Sequence, residues 1–194
     1  MELSVVGKGP NYFKVNLIAK NFDNDSNDKH KLLLAITKMA DVMSSEDFKD
    51  FVLNYYYQSY KCTGSLWNKK CKYYMRYRFR YNKDKTREQI YNHLMTGSEV
   101  LLPEEDNEAD IRLKLDKSYK KGVLGYTYPN TVWQWIYNWF FSEGTVDQIA
   151  GNLAHEWCHK MGYGHESKYN KYRRYTVPYA IGYFVRDFDG YIRH

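Results

Sequence analysis

Apolar and polar positions along the chain follow two periods, one close to 2 and one close to 3.6, and their order suggests the elements. Phe13, Val15 and Leu17 alternate with Lys14 and Asn16, the period of a half-buried strand. After the polar turn 21–28, Leu32, Ile36, Met39, Ala40 and Met43 recur at helical spacing, with the methionines as core filler. Phe48, Phe51, Val52, Tyr55 and Tyr56 do the same in a second helix expected to begin near Ser45. Thr86 and Gln89 form a capping-box pair that predicts a short helix, and Gly97 closes it.

Strand-like stretches separate these helices. In 73–81, Tyr73, Met75, Tyr77, Phe79 and Tyr81 alternate with Arg76, Arg78 and Arg80, which predicts a strand with an arginine-lined face. The acidic stretch 103–110 reads as a surface loop. Ile111, Leu113 and Leu115 alternate with Arg112 and Lys114 in a further strand. A short extended piece over 125–128 is stopped by Pro129. The stretch 132–140 predicts a strand with Trp133, Trp135, Tyr137 and Trp139 on one face. No internal repeat, low-complexity linker or break in composition divides the chain, so a single domain over residues 1–194 is expected.

Composition narrows the class. The 194 residues are 43% hydrophobic and 27% charged, as in ordinary globular proteins. The 21 tyrosines, nine phenylalanines and five tryptophans favour a sheet-containing fold, because aromatic side chains suit a partly covered pleated surface. No apolar run is long enough to cross a bilayer, which excludes an integral helical membrane protein. The first twenty residues lack the apolar core of a signal peptide. Two readings fit that start, a chain that stays in the cytoplasm and a secreted form with its leader removed, and the first is favoured. Cys62 and Cys71 could pair across a loop, leaving Cys158 over, and a reduced chain explains three thiols equally well. A net charge of +6 is small enough to be a solvated basic surface, so a nucleic-acid partner is not expected.

The chemistry concentrates in one helix. Thr145 and Gln148 form a second capping box, opening a helix from Val146 to about Met161. Val146, Ala150, Leu153, Ala154, Trp157 and Met161 make its buried stripe, and Gln148, Asn152, His155 and His159 lie opposite, with Glu156 at the edge. Four-residue spacing puts His155 above His159, so both imidazoles can share one metal ion. Gly162 lets the chain leave the helix in a left-handed conformation and return His165 as a third nitrogen ligand. Three protein ligands leave one position open, as in catalytic zinc sites. Glu156 then stands as general base toward a zinc-bound water. Five residue types fixed at these offsets arise by chance about once in a hundred thousand such chains. Cys158 points away from the histidines and reads as a packed thiol; His30, His93 and His194 have no partner at ligand spacing and read as surface residues.

The run His155-Glu156-x-x-His159-x-x-Gly162-x-x-His165 resembles the zinc-binding consensus of the metzincin clan of metallopeptidases. Glu166 also follows the third histidine in astacin-like members. The resemblance is motif-specific from about 111 to 179 and architectural before that. It implies an α+β fold with a twisted mixed sheet, a zinc helix, and an edge strand that pairs with extended substrate, for which 125–128 or 132–140 are candidates. It also implies a methionine in a tight turn below the metal, yet no methionine follows Met161. Thr176-Val177-Pro178-Tyr179 is the candidate replacement, with Pro178 making the turn. Tyr179 would reach the metal or the oxyanion, as a tyrosine does in some members, or be a core aromatic with Tyr175 and Tyr183.

The expected activity is therefore zinc-dependent hydrolysis of peptide bonds by a monomer acting on a peptide or protein. Two alternatives stand beside it. One is a zinc amidase acting on a cell-wall or other non-protein amide. The other is a binding module that meets nucleic acid with the arginines of 73–81 and the basic stretch 168–174.

Overall fold

The computed structural model describes residues 1–23, 26–64 and 67–189, and its buried apolar side chains form one cluster. Glu2–Val6 (β1) and Lys14–Lys20 (β2) pair antiparallel. Ser26–Met43 (α1) buries Leu32, Ile36, Met39, Ala40 and Met43, the stripe its spacing predicts. Glu46–Leu53 (α2) starts at Ser45, whose side chain accepts from the Phe48 N–H. It ends before Tyr55 and Tyr56, so these two lie beyond the helix that the sequence spacing assigns them to.

Tyr57–Thr63 (β3) and Lys70–Arg76 (β4) form a separate two-stranded antiparallel ribbon. The strand expected over 73–81 therefore ends at Arg76, and neither of its faces is buried: every residue of β4 is exposed. Alternation fails as a burial signal here because no second layer covers the ribbon. Phe79 instead leaves the strand to stack on Tyr55, with ring centroids 3.9 Å apart. Cys62 and Cys71 face each other across the ribbon in a disulfide, so the structure holds the bridged one of the two states considered. Cys158 is a buried free thiol.

Arg87–Thr96 (α3) has the capping box and the left-handed Gly97 that its sequence predicts. Glu108–Asp116 (β5) begins inside the acidic stretch expected to be a loop. Its first carboxylates are neutralised by β2: Lys14 Nζ lies 2.9 Å from Glu108 Oε1, and Asn16 donates to Glu108 and Asp110. Gly125–Thr127 (β6) and Trp133–Tyr137 (β7) complete a mixed sheet of order β1-β2-β5-β7-β6, in which β5 pairs parallel with β2 and β7. The chain then turns helical over Asn138–Glu143 (α4), where a continuing strand was expected. Phe140 and Phe141 are adjacent and 4% and 3% exposed, which alternation along a strand cannot provide.

Val146–Lys160 (α5) and Val177–Asp187 (α6) pack against each other, and α5 also packs on α1. Val15, Leu17, Ile111, Leu113 and Ile136 point from the sheet into this helical layer. Helices and mixed sheet together make an α+β fold. No helix among the described residues is long and apolar enough to cross a membrane.

Candidate metal centre

Local sequence fixes both ends of α5. Thr145 accepts from the Gln148 N–H, and the Gln148 side chain accepts from the Thr145 N–H, satisfying two of the free donors at the N-terminus. At the other end the Gly162 N–H bonds to the His159 carbonyl and the Tyr163 N–H to the Cys158 carbonyl, each at 3.0 Å. This is the bond pair of a Schellman motif, and it requires the left-handed φ of 82° that Gly162 adopts. The turn drives Tyr163 into the core, where its hydroxyl lies 2.9 Å from His93 Nδ1. His93 is thus a half-buried anchor rather than the surface residue expected; His30 is exposed on α1, and His194 lies outside the described residues.

Beyond Tyr163 the chain turns back and delivers His165. Ligand nitrogens of His155, His159 and His165 all lie within 4.8 Å of one another. The ring centroids of His155 are 5.0 Å from His159 and 5.4 Å from His165, and the last two are 4.8 Å apart. Burial holds all three imidazoles below their ordinary pKa, His155 well below it and His159 down to about 4. They are therefore neutral at pH 7 and keep a nitrogen lone pair.

Each ring is also held by a backbone carbonyl. His159 Nδ1 lies 2.8 Å from the Tyr163 oxygen, His165 Nδ1 lies 3.0 Å from the Glu166 oxygen, and His155 bonds the Pro178 carbonyl. At His155 and His159 a ring N–H given to a carbonyl fixes the tautomer and leaves the opposite nitrogen for a metal, whereas the Arg173 guanidinium also reaches both nitrogens of His165 and would have to yield one of them to an ion. Three neutral, oriented imidazoles within one ion's reach fit zinc in the donor set that leaves a fourth position open.

Glu156 follows His155 on α5 and lines the same cleft, which has a volume of about 1390 Å³. Burial raises its carboxyl to about 8, against the pull of the Lys160 cation. Lys160 donates from Nζ to the carbonyls of Tyr128 and Thr131, at 3.1 and 2.6 Å, and so ties the loop after β6 to α5. Strand β6 is an edge of the sheet and lines the cleft, whereas β7 is interior; of the two candidate edges the structure selects 125–127.

The floor of the site is α6. Thr176 precedes it, and Pro178 stands in its first turn, where a missing N–H costs nothing. The tight turn expected at Pro178 is thus a helix start. That start sets the Tyr179 ring 4.5 Å from His155 and 4.9 Å from His165 between centroids, beside Tyr183 at 5.7 Å. Tyr175 instead stacks on Tyr57 of the ribbon at 4.7 Å. Glu166, the residue after the third histidine, lies 2.8 Å from Arg80. Burial would raise its pKa, but its own N–H, the Asn170 and Tyr81 side chains and Arg80 together hold it low.

The fold thus brings together five residues that the sequence marks: His155, Glu156, His159, His165 and Tyr179. Others stand beside them. Arg173 places Nε 3.2 Å from His165 Nδ1 and Nη2 3.4 Å from His165 Nε2, with its guanidinium 4.9 Å from the Tyr179 ring. Nothing in the spacing of a basic stretch marks one arginine as the inward one. Gly151 and Gly182 meet where α5 and α6 cross, and a Cβ on Gly182 would come within 2.8 Å of the Gly151 oxygen and 3.0 Å of His155 Cβ. Here there was a signal, since glycine inside a helical pattern is unfavourable and calls for a packing reason. No protein-family model, curated protein or solved structure matches the chain.

Proposed function

We propose that the protein is a zinc-dependent metallopeptidase of metzincin-like build. The observation that carries this reading is the convergence of three neutral, carbonyl-oriented imidazoles beside a buried carboxyl at an open cleft. His155, His159 and His165 would hold the ion. Zinc so held supplies Lewis acidity toward a carbonyl and a water.

The chain's own groups account for the remaining work. Burial alone would keep Glu156 protonated at pH 7, and the charge of an ion held by the histidines would favour its carboxylate, which takes a proton from the attacking water and passes it to the amine nitrogen as the peptide C–N bond breaks. The Tyr179 hydroxyl donates a hydrogen bond to the oxygen that gains negative charge. The free edge of β6 offers backbone groups to an extended substrate, as in strand addition to a sheet edge. Lys160 holds the wall behind that edge in place through Tyr128 and Thr131.

Elemental analysis of the purified protein, beside Glu156→Gln and His159→Ala, tests the reading. Wild type and Glu156→Gln should each carry about one zinc per chain, and His159→Ala should carry little. Glu156→Gln should lose on the order of 10²- to 10⁴-fold in peptide hydrolysis. Full activity in Glu156→Gln would remove the role given to that carboxylate. A wild-type protein without zinc after reconstitution would remove the reading itself.

A further inference from the structure

Positive charge is distributed very unevenly in this chain. Between Asp50 and Asp84 there are eight lysines and arginines and no carboxylate, more than the whole net charge of +6, so the rest of the protein is slightly acidic. Half of that charge sits on the β3–β4 ribbon. Lys61 faces Lys72 across it, and Lys70 and Arg76 lie further along the same strand. Among the described residues none of these four is in an ion pair. Two strands alone are marginally stable in water, and this pair is held by its disulfide and by Tyr57 at its base rather than by a covering layer. Like charges placed directly opposite are unfavourable as well. The ribbon is therefore poor as a stability element and well made as a cationic surface.

That surface continues to the candidate centre. Lys171 Nζ stands 3.6 Å from the centre of the Tyr60 ring, and Tyr172 lies 6.4 Å from the same ring. Next to Tyr172 is Arg173, in contact with His165 and Tyr179, and Arg173 and Tyr169 line the cleft. A path of cations and tyrosines thus runs from the ribbon to the third histidine. Several ring faces along it carry the protein's own cations: Lys171 over Tyr60, Arg80 over Tyr172 and Arg76 over Tyr74. Such rings are partly unavailable as platforms for bases, which single-stranded nucleic acid would need. Their hydroxyls and the ammonium and guanidinium groups still suit carboxylates.

We propose that the β3–β4 ribbon and the 168–175 segment form a docking surface for an acidic stretch of polypeptide, which Arg173 leads into the metal cleft. This rests on the peptidase reading and names its substrate class: extended chains rich in Asp and Glu on the side that meets the ribbon.

The test uses zinc-loaded Glu156→Gln, full length, so that binding is read without cleavage. Fluorescence anisotropy would compare a labelled oligoglutamate peptide, oligoglutamine of equal length and oligothymidylate, and sedimentation would add vesicles of phosphatidylserine and phosphatidylcholine. The expected result is that oligoglutamate binds best, that added salt weakens it, and that oligoglutamine does not bind. Lys61→Gln, Lys70→Gln, Lys72→Gln and Arg76→Gln combined should weaken oligoglutamate about tenfold or more without lowering the melting temperature, since all four side chains are exposed and two of them are opposed like charges. Arg173→Gln should weaken it separately. Tighter binding of oligothymidylate, or of vesicles alone, would overturn the proposal, as would binding indifferent to the four substitutions. A failure here with zinc bound and wild-type hydrolysis intact sinks only the docking surface. Loss of zinc and hydrolysis with oligoglutamate binding retained sinks only the peptidase reading.

Discussion

Glu99 shows how a single carboxyl beneath α5 affects the molecule. It is 4% exposed, accepts from Trp157 Nε1 at 2.5 Å and from the Asp110 N–H at 2.9 Å, and has burial as the largest influence on its pKa. Burial outweighs the hydrogen bonds and raises the pKa to about 7 from an ordinary 4.5. The folded state therefore holds more protons than the unfolded state between those values, and stability falls as pH rises through that window. The contribution is about 3 kcal/mol over the full window. Glu99→Gln keeps an acceptor for Trp157 and cannot ionise, so its unfolding free energy in urea should lose this part of the slope between pH 4.5 and 7. An unchanged slope would show that Glu99 is not the group that titrates. The sequence marked the three histidines because their spacing is local, within one helix and its exit turn. It did not mark Glu99 or Arg173, whose roles come from partners 58 and 8 residues away in the chain.

At the level of elements, legibility followed the source of the signal. The helices α3 and α5 are readable to within about a residue because both are bounded by capping boxes and by a left-handed glycine at or just after the end, which are local chemistry. The stretches 73–81 and 132–140 form strands only in part, as far as Arg76 and over Trp133–Tyr137, because alternation shows neither where a strand stops nor what covers it. Burial depends on a layer the sequence does not display: β4 has none, and after β7 the adjacent pair Phe140–Phe141 is buried by a helix instead. The α5–α6 crossing was equally hidden, although it sets Tyr179 against His155. Gly182→Ala tests its tightness. The added Cβ meets backbone and Cβ atoms rather than a flexible side-chain end, so α6 must move outward. A loss of about 1–3 kcal/mol in unfolding free energy is expected. Hydrolysis should fall more than zinc content, because the tyrosine moves with α6 while the three ligands belong to α5 and its turn. Equal loss of both would indicate that the displacement passes into α5 itself.

For the whole molecule, the question is whether the metal builds the fold or uses it. Two of the proposed ligands stand on α5, whose opposite face carries Leu153, Ala154 and Trp157 into the main apolar cluster. The third follows a turn closed by its own backbone bonds and by the Tyr163–His93 contact. None of these supports needs an ion, unlike a small zinc module that is unfolded without one. The metal should therefore act as a ligand that binds the native state. Free zinc at a thousand times its Kd adds about 4 kcal/mol, which for a domain near 200 residues is a rise in Tm of roughly 10 °C. Chelation should lower Tm by that amount and leave far-ultraviolet circular dichroism at room temperature unchanged. Hydrogen exchange should quicken mainly over 161–176, the segment that carries His165 and joins α5 to α6. The ribbon's exchange should change less, since its disulfide is independent of the ligands, and any change should centre on Tyr57, which stacks on Tyr175 of the loosened segment. Collapse of the whole circular dichroism signal on chelation would instead make the ion a structural one. The open fourth position on which the proposed peptidase chemistry depends would then lose its main physical support.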